Sequence, residues 1–348
     1  MIPVRILTDD DVKSMLDIRS AIESVEKAYA MKASNKARLF PLISEDLHPG
    51  SADMDIKSGV LNEEDVFGLK LVAWFGKNVK IGLPALTGLS MLFDLKTGFL
   101  KSIINARYLT GLRTGAAGAI GIKYLARQNS KVLLVVGTGT QAVFQVAAAL
   151  SAVESIKKVY IFNPAQYESA VRFQRSIKKE LGKIANDFKD PDNKNWHKRL
   201  EAIEFIVVAS PVEALAETDA VITITPSRKP LILKEWIKPG IHFSCIGADM
   251  GGKQEIDEKI LDDAVVFVDD IAQASTVGET QKAIREGNLC IDQLTEIGHL
   301  ILGNTRGRQS DKDITVFDST GISLQDIAVS SYLLAKAEEM NIGTIIQI

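Results

Sequence analysis

Apolar residues in this 348-residue chain recur at two different intervals, and the places where one interval gives way to the other predict its elements. From Thr8 the run TDDDVKSML reads as a short capped helix, and Ile18 to Ala33 continues with apolar residues at helical spacing. Between Arg38 and Lys57 the periodicity lapses. Pro41, His48-Pro49-Gly50 and the run Ser51-Ala52-Asp53-Met54-Asp55 predict a loop entering a strand. Val66 to Phe75 and Leu86 to Phe93 read as strands, with Thr97-Gly98 marking a hairpin turn between Leu92-Phe93 and Phe99-Leu100. A long helix begins at Asn105, and its stretch Leu109 to Ala119 is rich enough in Gly and Ala for another backbone to lie close against it.

The next segment changes character. Val132 to Val136 are apolar without alternation, the mark of a strand buried on both faces. The strand runs into Gly137-Thr138-Gly139-Thr140-Gln141-Ala142 and then into helical spacing as far as Leu150. At the carboxyl end of such a strand, Gly137 permits a tight turn and Gly139 admits a pyrophosphate close to the backbone. Ala142 lets the helix pack on the strand, and the helix start offers free N–H groups to phosphates. A second apolar run, Val159 to Phe162, ends at Asn163, near the place where an acid usually holds the adenosine ribose. Asparagine can still bond a ribose hydroxyl, and Pro164-Ala165-Gln166 supply no arginine for a 2′-phosphate, which favours NAD without excluding NADP.

A helix over Gln166 to Leu181 and an exposed loop over the polar segment Asn186 to Lys198 follow. Strands are then expected at Phe205 to Val208, Ala220 to Thr225, Ile241 to Ile246 and Ala264 to Val268. This α/β alternation builds a doubly wound parallel sheet of the Rossmann type. Thr225-Pro226-Ser227 and Gly247-Ala248-Asp249 each follow a strand end over the same crevice, so Asp249 is the acid expected to point at a bound nicotinamide. A strand from Ile314 to Phe317, the run Asp318-Ser319-Thr320-Gly321 and a helix from Leu324 to Met340 complete the chain. That last helix is expected to return to the amino-terminal helices. The first domain, α+β, is then discontinuous, residues 1–118 with 319–348, and the NAD(P)-binding domain is 119–318.

Composition narrows the partners. With 41 basic and 44 acidic side chains the net charge is −3, so nothing pulls the chain towards nucleic acid. No run of about 18 apolar residues suggests a membrane span, and the start MIPVRILTDDDVKS lacks a signal-peptide core. The two cysteines, Cys245 and Cys290, fit no disulfide framework, which makes a cytoplasmic protein the expectation, and the four scattered histidines fit no metal site. Catalysis should therefore rest on Lys, Arg and Asp. Lys70 lies among apolar strand residues, either on a solvated face or buried towards a ligand. Arg113 stands alone among small residues, either as an ion pair at a domain seam or as a fork for a carboxylate or phosphate.

Several blocks together resemble the ornithine cyclodeaminase and mu-crystallin family. They are LTGLRTGAAGAIGIKYLARQNS from Leu109, GTGTQA from Gly137, ITPSRKP from Ile224, IGADMGGKQEI from Ile246 and GRQSDKDITVFDSTGISLQD from Gly307, closest to the branch of archaeal alanine dehydrogenases. The resemblance implies a homodimer whose discontinuous first domain serves substrate binding and dimerisation, and which moves a hydride between NAD and the α-carbon of a small amino or imino acid. It also implies Lys70 and Arg113 as the cations for the substrate carboxylate and Asp249 as the acid that handles the amine. The cofactor set becomes Thr114, Gly137, Thr138, Gly139, Thr140, Gln141, Ala142, Asn163, Thr225, Pro226, Gly247, Ala248 and Asp318, with no metal.

The chain departs from the family in its first domain. Leu42 follows Pro41 where many members carry a cation, and Ile56-Lys57-Ser58, preceded by Asp55, stands near a usual Met-Pro. Lys57 is expected to take over carboxylate binding and, with Asp55, to select a polar or doubly charged substrate. The plain alternative is that both are solvated loop residues. All three lysine, arginine and aspartate roles require Lys70, Arg113 and Asp249 to meet over one face of the nicotinamide. Two other outcomes use the same residues: an ammonia-lyase that closes ornithine to proline with NAD used catalytically, and a mu-crystallin-like protein that binds NAD(P)H and ligand without turnover.

Overall fold

The computed structural model describes residues 2–187 and 193–348. The chain divides into two compact units, Met1–Arg113 with Ile322–Ile348, and Thr114–Gly321; the division falls inside the helix Ala106–Leu125.

The first unit is built on a sheet in the order Thr344–Gln347, Pro3–Leu7, Leu100–Asn105, Leu86–Asp94, Val66–Phe75, Ala52–Leu61, Ala37–Leu39, with Ile43–His48 also paired to Ala52–Leu61. Neighbours are antiparallel except Pro3–Leu7 beside Leu100–Asn105. The helices Asp9–Met15 and Ile18–Ala33 form where the spacing predicts them, the first behind a capping box in which Thr8 and Asp11 satisfy each other's backbone amides. Helix Ser323–Met340 returns to pack on Ile18–Ala33 and on one sheet face. The loop expected over Arg38 to Lys57 is instead three strands. Ile43–His48 is exposed at every position, so it has no buried side to print a period-two pattern on the sequence.

One glycine, Gly59, lets the returning helix come close. Gly59 and Gly68 face each other across the Ala52–Leu61 and Val66–Phe75 pair. A Cβ on Gly59 would lie 2.9 Å from Ser323 Oγ and 3.0 Å from Leu324 Cδ2, whereas one on Gly68 would lie 2.6 Å from the Met91 carbonyl oxygen on the neighbouring strand. The opposite face stays apolar and open, with Leu71 and Leu89 registered on it and the Phe67 and Phe93 rings stacked at 5.0 Å.

The second unit is a sheet in the order Glu204–Val207, Lys158–Phe162, Val132–Val136, Ala220–Thr223, His242–Cys245, Ile314–Asp318, Ala264–Val268, Thr295–Glu296, every pair parallel. Its order reverses beside Val132–Val136, which makes the carboxyl end of that strand the switch point where ligands bind. Leu133 to Val136 are fully buried, each worth about 1.5–3 kcal/mol of apolar burial. His242 is a core residue. Its ring bonds Thr315 Oγ1 and Ser244 Oγ at 2.9 Å each, and burial pulls it down to about 3, so it stays uncharged.

The exposed loop expected over Asn186 to Lys198 is a correction as well. Helix Tyr167–Asp187 overruns its start and helix Asn193–Ala202 takes its second half; 188–192, with Asp190, lie outside the described residues. The small-residue helix behaves as its composition demands. A Cβ on Gly115 would lie 2.4 Å from the Phe144 carbonyl oxygen, on Gly118 2.1 Å from Gln145 Oε1, and on Gly121 2.4 Å from Ser244 Oγ.

Gly115→Val should therefore destabilise by about 1–3 kcal/mol through overpacking, read as a lower urea midpoint at unchanged slope. Gly139→Ala, whose added carbon would meet nothing within 4 Å, should leave the midpoint in place. Equal midpoints for the two variants would remove this account of the helix.

Candidate active site

In the first unit, Lys57 and Lys70 are direct partners across two antiparallel strands, so both side chains leave the same face. It is the face covered by Ser323–Met340, and the close helix brings Gln325 and Asp326 onto it. Lys70 Nζ donates to Asp326 Oδ1 at 2.7 Å, and Arg113 Nε stands 3.0 Å from the same oxygen. Arg113 Nη1 donates to Gln325 Oε1 and Gln325 Nε2 to Tyr29 Oη, each at 2.6 Å. Lys57, Lys70, Arg113 and Asp326 are all buried. Burial first, then the Arg113 charge, pull Lys70 down to about 7 against the pull of Asp326. Burial alone would raise the Asp326 carboxyl, but Arg113 and Lys70 outweigh it and hold it below the usual range. Asp326 Oδ2 accepts no hydrogen bond.

Of the open readings, Lys70 is therefore buried, and Arg113 is both ion-paired and inside the cationic group. Lys57 is buried, not a solvated loop residue, and Asp55, two residues earlier on its strand, shares its face half-buried. Asp326, Gln325 and Tyr29 were not singled out from the sequence. The available signal was the pair Gln325-Asp326 inside a helical run from Ile322 to Val329 whose other residues, Ser323 apart, are apolar.

In the second unit the glycine turn fits a dinucleotide. Gly137 takes φ +113° and donates its N–H to the Phe162 carbonyl at 2.8 Å, while a Cβ there would strike the Ile224 carbonyl at 2.5 Å. Gly139 borders open space, where a pyrophosphate can approach. Helix Ala142–Ala152 starts at Gln141 with no side-chain cap; its Ala142 N–H donates to the Gly139 carbonyl at 3.0 Å, and Gln141 Oε1 is buried without a partner. Ala142 is fully buried, Thr138 half-buried and Thr140 exposed. Thr114 gives its carbonyl to Gln145 Nε2 at 2.8 Å.

Four expected cofactor residues have partners within the protein. Asn163 accepts from the Ala165 and Gln166 amides at 2.9 Å each and donates to Thr138 Oγ1 at 2.6 Å, which leaves one N–H for a ribose. Thr225 and Gly247 give their amides to the buried Glu255. Asp318 is fully buried: its Oδ2 accepts from the Thr280 amide and hydroxyl, its Oδ1 has no hydrogen-bond partner, and burial pushes it up to about 7. Pro226 is exposed and Ala248 buried at the ends of the two turns. Asp249 has a half-exposed side chain paired to Lys253, four residues on. Among the described residues no group of three or more His, Cys, Asp and Glu side chains is arranged for a metal ion.

Comparison with known proteins gives a consistent set. The sequence profile of the Ornithine cyclodeaminase/mu-crystallin family matches residues 4–185 and 183–341. The chain is 35% identical to the alanine dehydrogenase of Archaeoglobus fulgidus over 97% of both chains, and 32% identical to the iminosuccinate reductase of Paracoccus denitrificans over 99% of both. An archaeal alanine dehydrogenase dimer with bound NAD superposes over 100% of both chains with a TM-score of 0.87 at 34% identity.

Asp326→Asn leaves the buried cations without their anion and should cost about 3–5 kcal/mol in urea unfolding near pH 6. From about pH 7 up to 10.5 the unfolded chain keeps a Lys70 proton that the folded chain has released, so this group's contribution to stability grows as pH rises. The deficit of Asp326→Asn should accordingly shrink between pH 6 and pH 9. A deficit independent of pH would contradict the arrangement.

Proposed function

Because this chain belongs to the ornithine cyclodeaminase/mu-crystallin family, we propose that it is an NAD-dependent oxidoreductase acting at the Cα–N bond of a small α-amino or α-imino acid. The observation that carries this reading is the buried group of Lys57, Lys70 and Arg113 on one sheet face, in a chain whose other unit holds an open glycine turn.

When bound, NAD supplies the acceptor or donor for the hydride at the substrate's Cα. The rest falls to side chains. Arg113 and Lys70 keep N–H donors beyond those given to Gln325 and Asp326, and these suit an α-carboxylate. Fixing the carboxylate orients Cα–H and removes much of the entropic cost of alignment. An α-ammonium has no lone pair to assist hydride loss, so Asp249 takes its proton first and returns it to the nitrogen in the reverse direction. To do so Asp249 exchanges Lys253 for substrate. The imine formed is then open to water, giving a keto acid and ammonia.

Lys57 sets the side-chain preference in this reading. Beside Lys70 it adds a second buried cation, which suits a substrate with a second carboxylate. Iminosuccinate, the substrate in the name of one relative, is such a compound. The same reading takes the protein as a cytoplasmic homodimer: both cysteines are free thiols, no described helix is long and apolar enough to cross a membrane, and the sheet face opposite Lys70 exposes Leu71 at 39% and Leu89 at 46%. The archaeal neighbour is a dimer.

The test is NADH formation from NAD⁺ across a panel of L-amino acids, with the reverse reaction from keto acids plus ammonia. Turnover of aspartate above alanine is expected, and Lys57→Met should reduce that preference by about tenfold to a hundredfold, the worth of a hydrogen bond to a charged group. Unchanged selectivity would remove Lys57 from substrate choice. Ornithine giving proline and ammonia without NADH accumulation would mean a cyclodeaminase, and tight NADH binding with no turnover on any amino or imino acid would mean a binding protein.

A further inference from the structure

One buried acid lies between the two turns that follow the strands Ala220–Thr223 and His242–Cys245. Glu255, on the short strand Gln254–Ile256, is fully buried. Its Oε1 accepts from the Thr225 amide at 2.6 Å and from Thr225 Oγ1 at 2.7 Å, and its Oε2 accepts from the Gly247 amide at 2.9 Å. The turns themselves touch: a Cβ on Gly247 would lie 2.3 Å from the Thr225 carbonyl oxygen.

Glu255 is in turn held by acids. Glu279 Oε1 and Oε2 accept from the amides of Glu255 and Ile256 at 2.7 and 3.1 Å. The next residue, Thr280, gives both its amide and its hydroxyl to Asp318 Oδ2, 3.0 Å each, at the end of a third strand. Burial pushes Glu255 up to about 7 and Glu279 well above the ordinary range. Each buried carboxyl costs stability, and such groups gather at functional sites.

The strand order says which half of the ligand this bridge serves. Asn163 and its strand lie on one side of Val132–Val136, while the two turns lie on the other. A dinucleotide whose pyrophosphate sits at Gly137–Gly139 and whose adenosine lies towards Asn163 extends its nicotinamide half over Thr225 and Gly247. We propose that Glu255 is the positioning residue for the nicotinamide half of the cofactor, its single carboxylate fixing the spacing of the Thr225-Pro226 and Gly247-Ala248-Asp249 turns. This rests on the NAD reading above. A carboxylate is needed because all three partners are donors. An amide would turn its NH₂ towards one of them and release that turn.

The experiment is a comparison of NADH and ADP-ribose binding to the full-length protein, by calorimetry, for wild type and Glu255→Gln. ADP-ribose lacks the nicotinamide ring. The NADH dissociation constant should rise about tenfold on loss of one charge-assisted tether, with that for ADP-ribose unchanged. Should Glu255→Gln not fold, Thr225→Val removes one of the three donors and should raise the NADH constant by a smaller factor, about threefold, again without touching ADP-ribose. Both constants rising together, or neither moving, would overturn the proposal. A wild-type protein that binds neither compound would overturn the NAD reading itself, a result distinct from either.

Discussion

Everything in the first unit turns on one carboxylate placed among cations. Asp326 holds Lys70 at 2.7 Å and stands 3.0 Å from Arg113, with no water-exposed surface on any of the three beyond a trace on the arginine. Two cations side by side in a low-dielectric interior repel, and one anion between them makes the arrangement tolerable. It does so without saturating it: the cations keep donors in excess, and burial keeps Lys70 close to neutrality at about 7. A site of that kind favours an incoming anion over water.

The backbone makes this possible through absent side chains. Gly59 clears the strip of sheet on which Ser323–Met340 lies, and a side chain there would press on Ser323 and Leu324, the residues that lead into Gln325 and Asp326. In the second unit Gly115, Gly118 and Gly121 do the same for the part of helix Ala106–Leu125 that follows Arg113. Charge placement here is a consequence of close packing.

The second unit solves the opposite electrostatic problem. Glu255, Glu279, Asp318 and Asp269 are buried at the carboxyl ends of the strands, and their partners are backbone amides and hydroxyls. Amides at strand ends and turns are unpaired donors, and buried acceptors satisfy them. Burial pushes all four carboxyls above their ordinary range against the pull of those donors.

Local pattern was enough to place the strand Val132–Val136, its glycine turn, the parallel alternation after it and the helices Ile18–Ala33 and Ser323–Met340, because each has a buried face that imposes a period on the residues. Lys70 and Arg113 were visible for the same reason, as charges where that period demands apolar side chains. Ile43–His48, with no buried face, left no such mark. The pairing of Lys57 with Lys70, the choice of Asp326 as their counter-ion across 256 residues of chain, and the burial of Asp318 against Thr280 depend on which surfaces meet. Sequence reports the neighbours of a residue along the chain; the electrostatics of a buried site are set by neighbours across it, and only the tertiary structure supplies those.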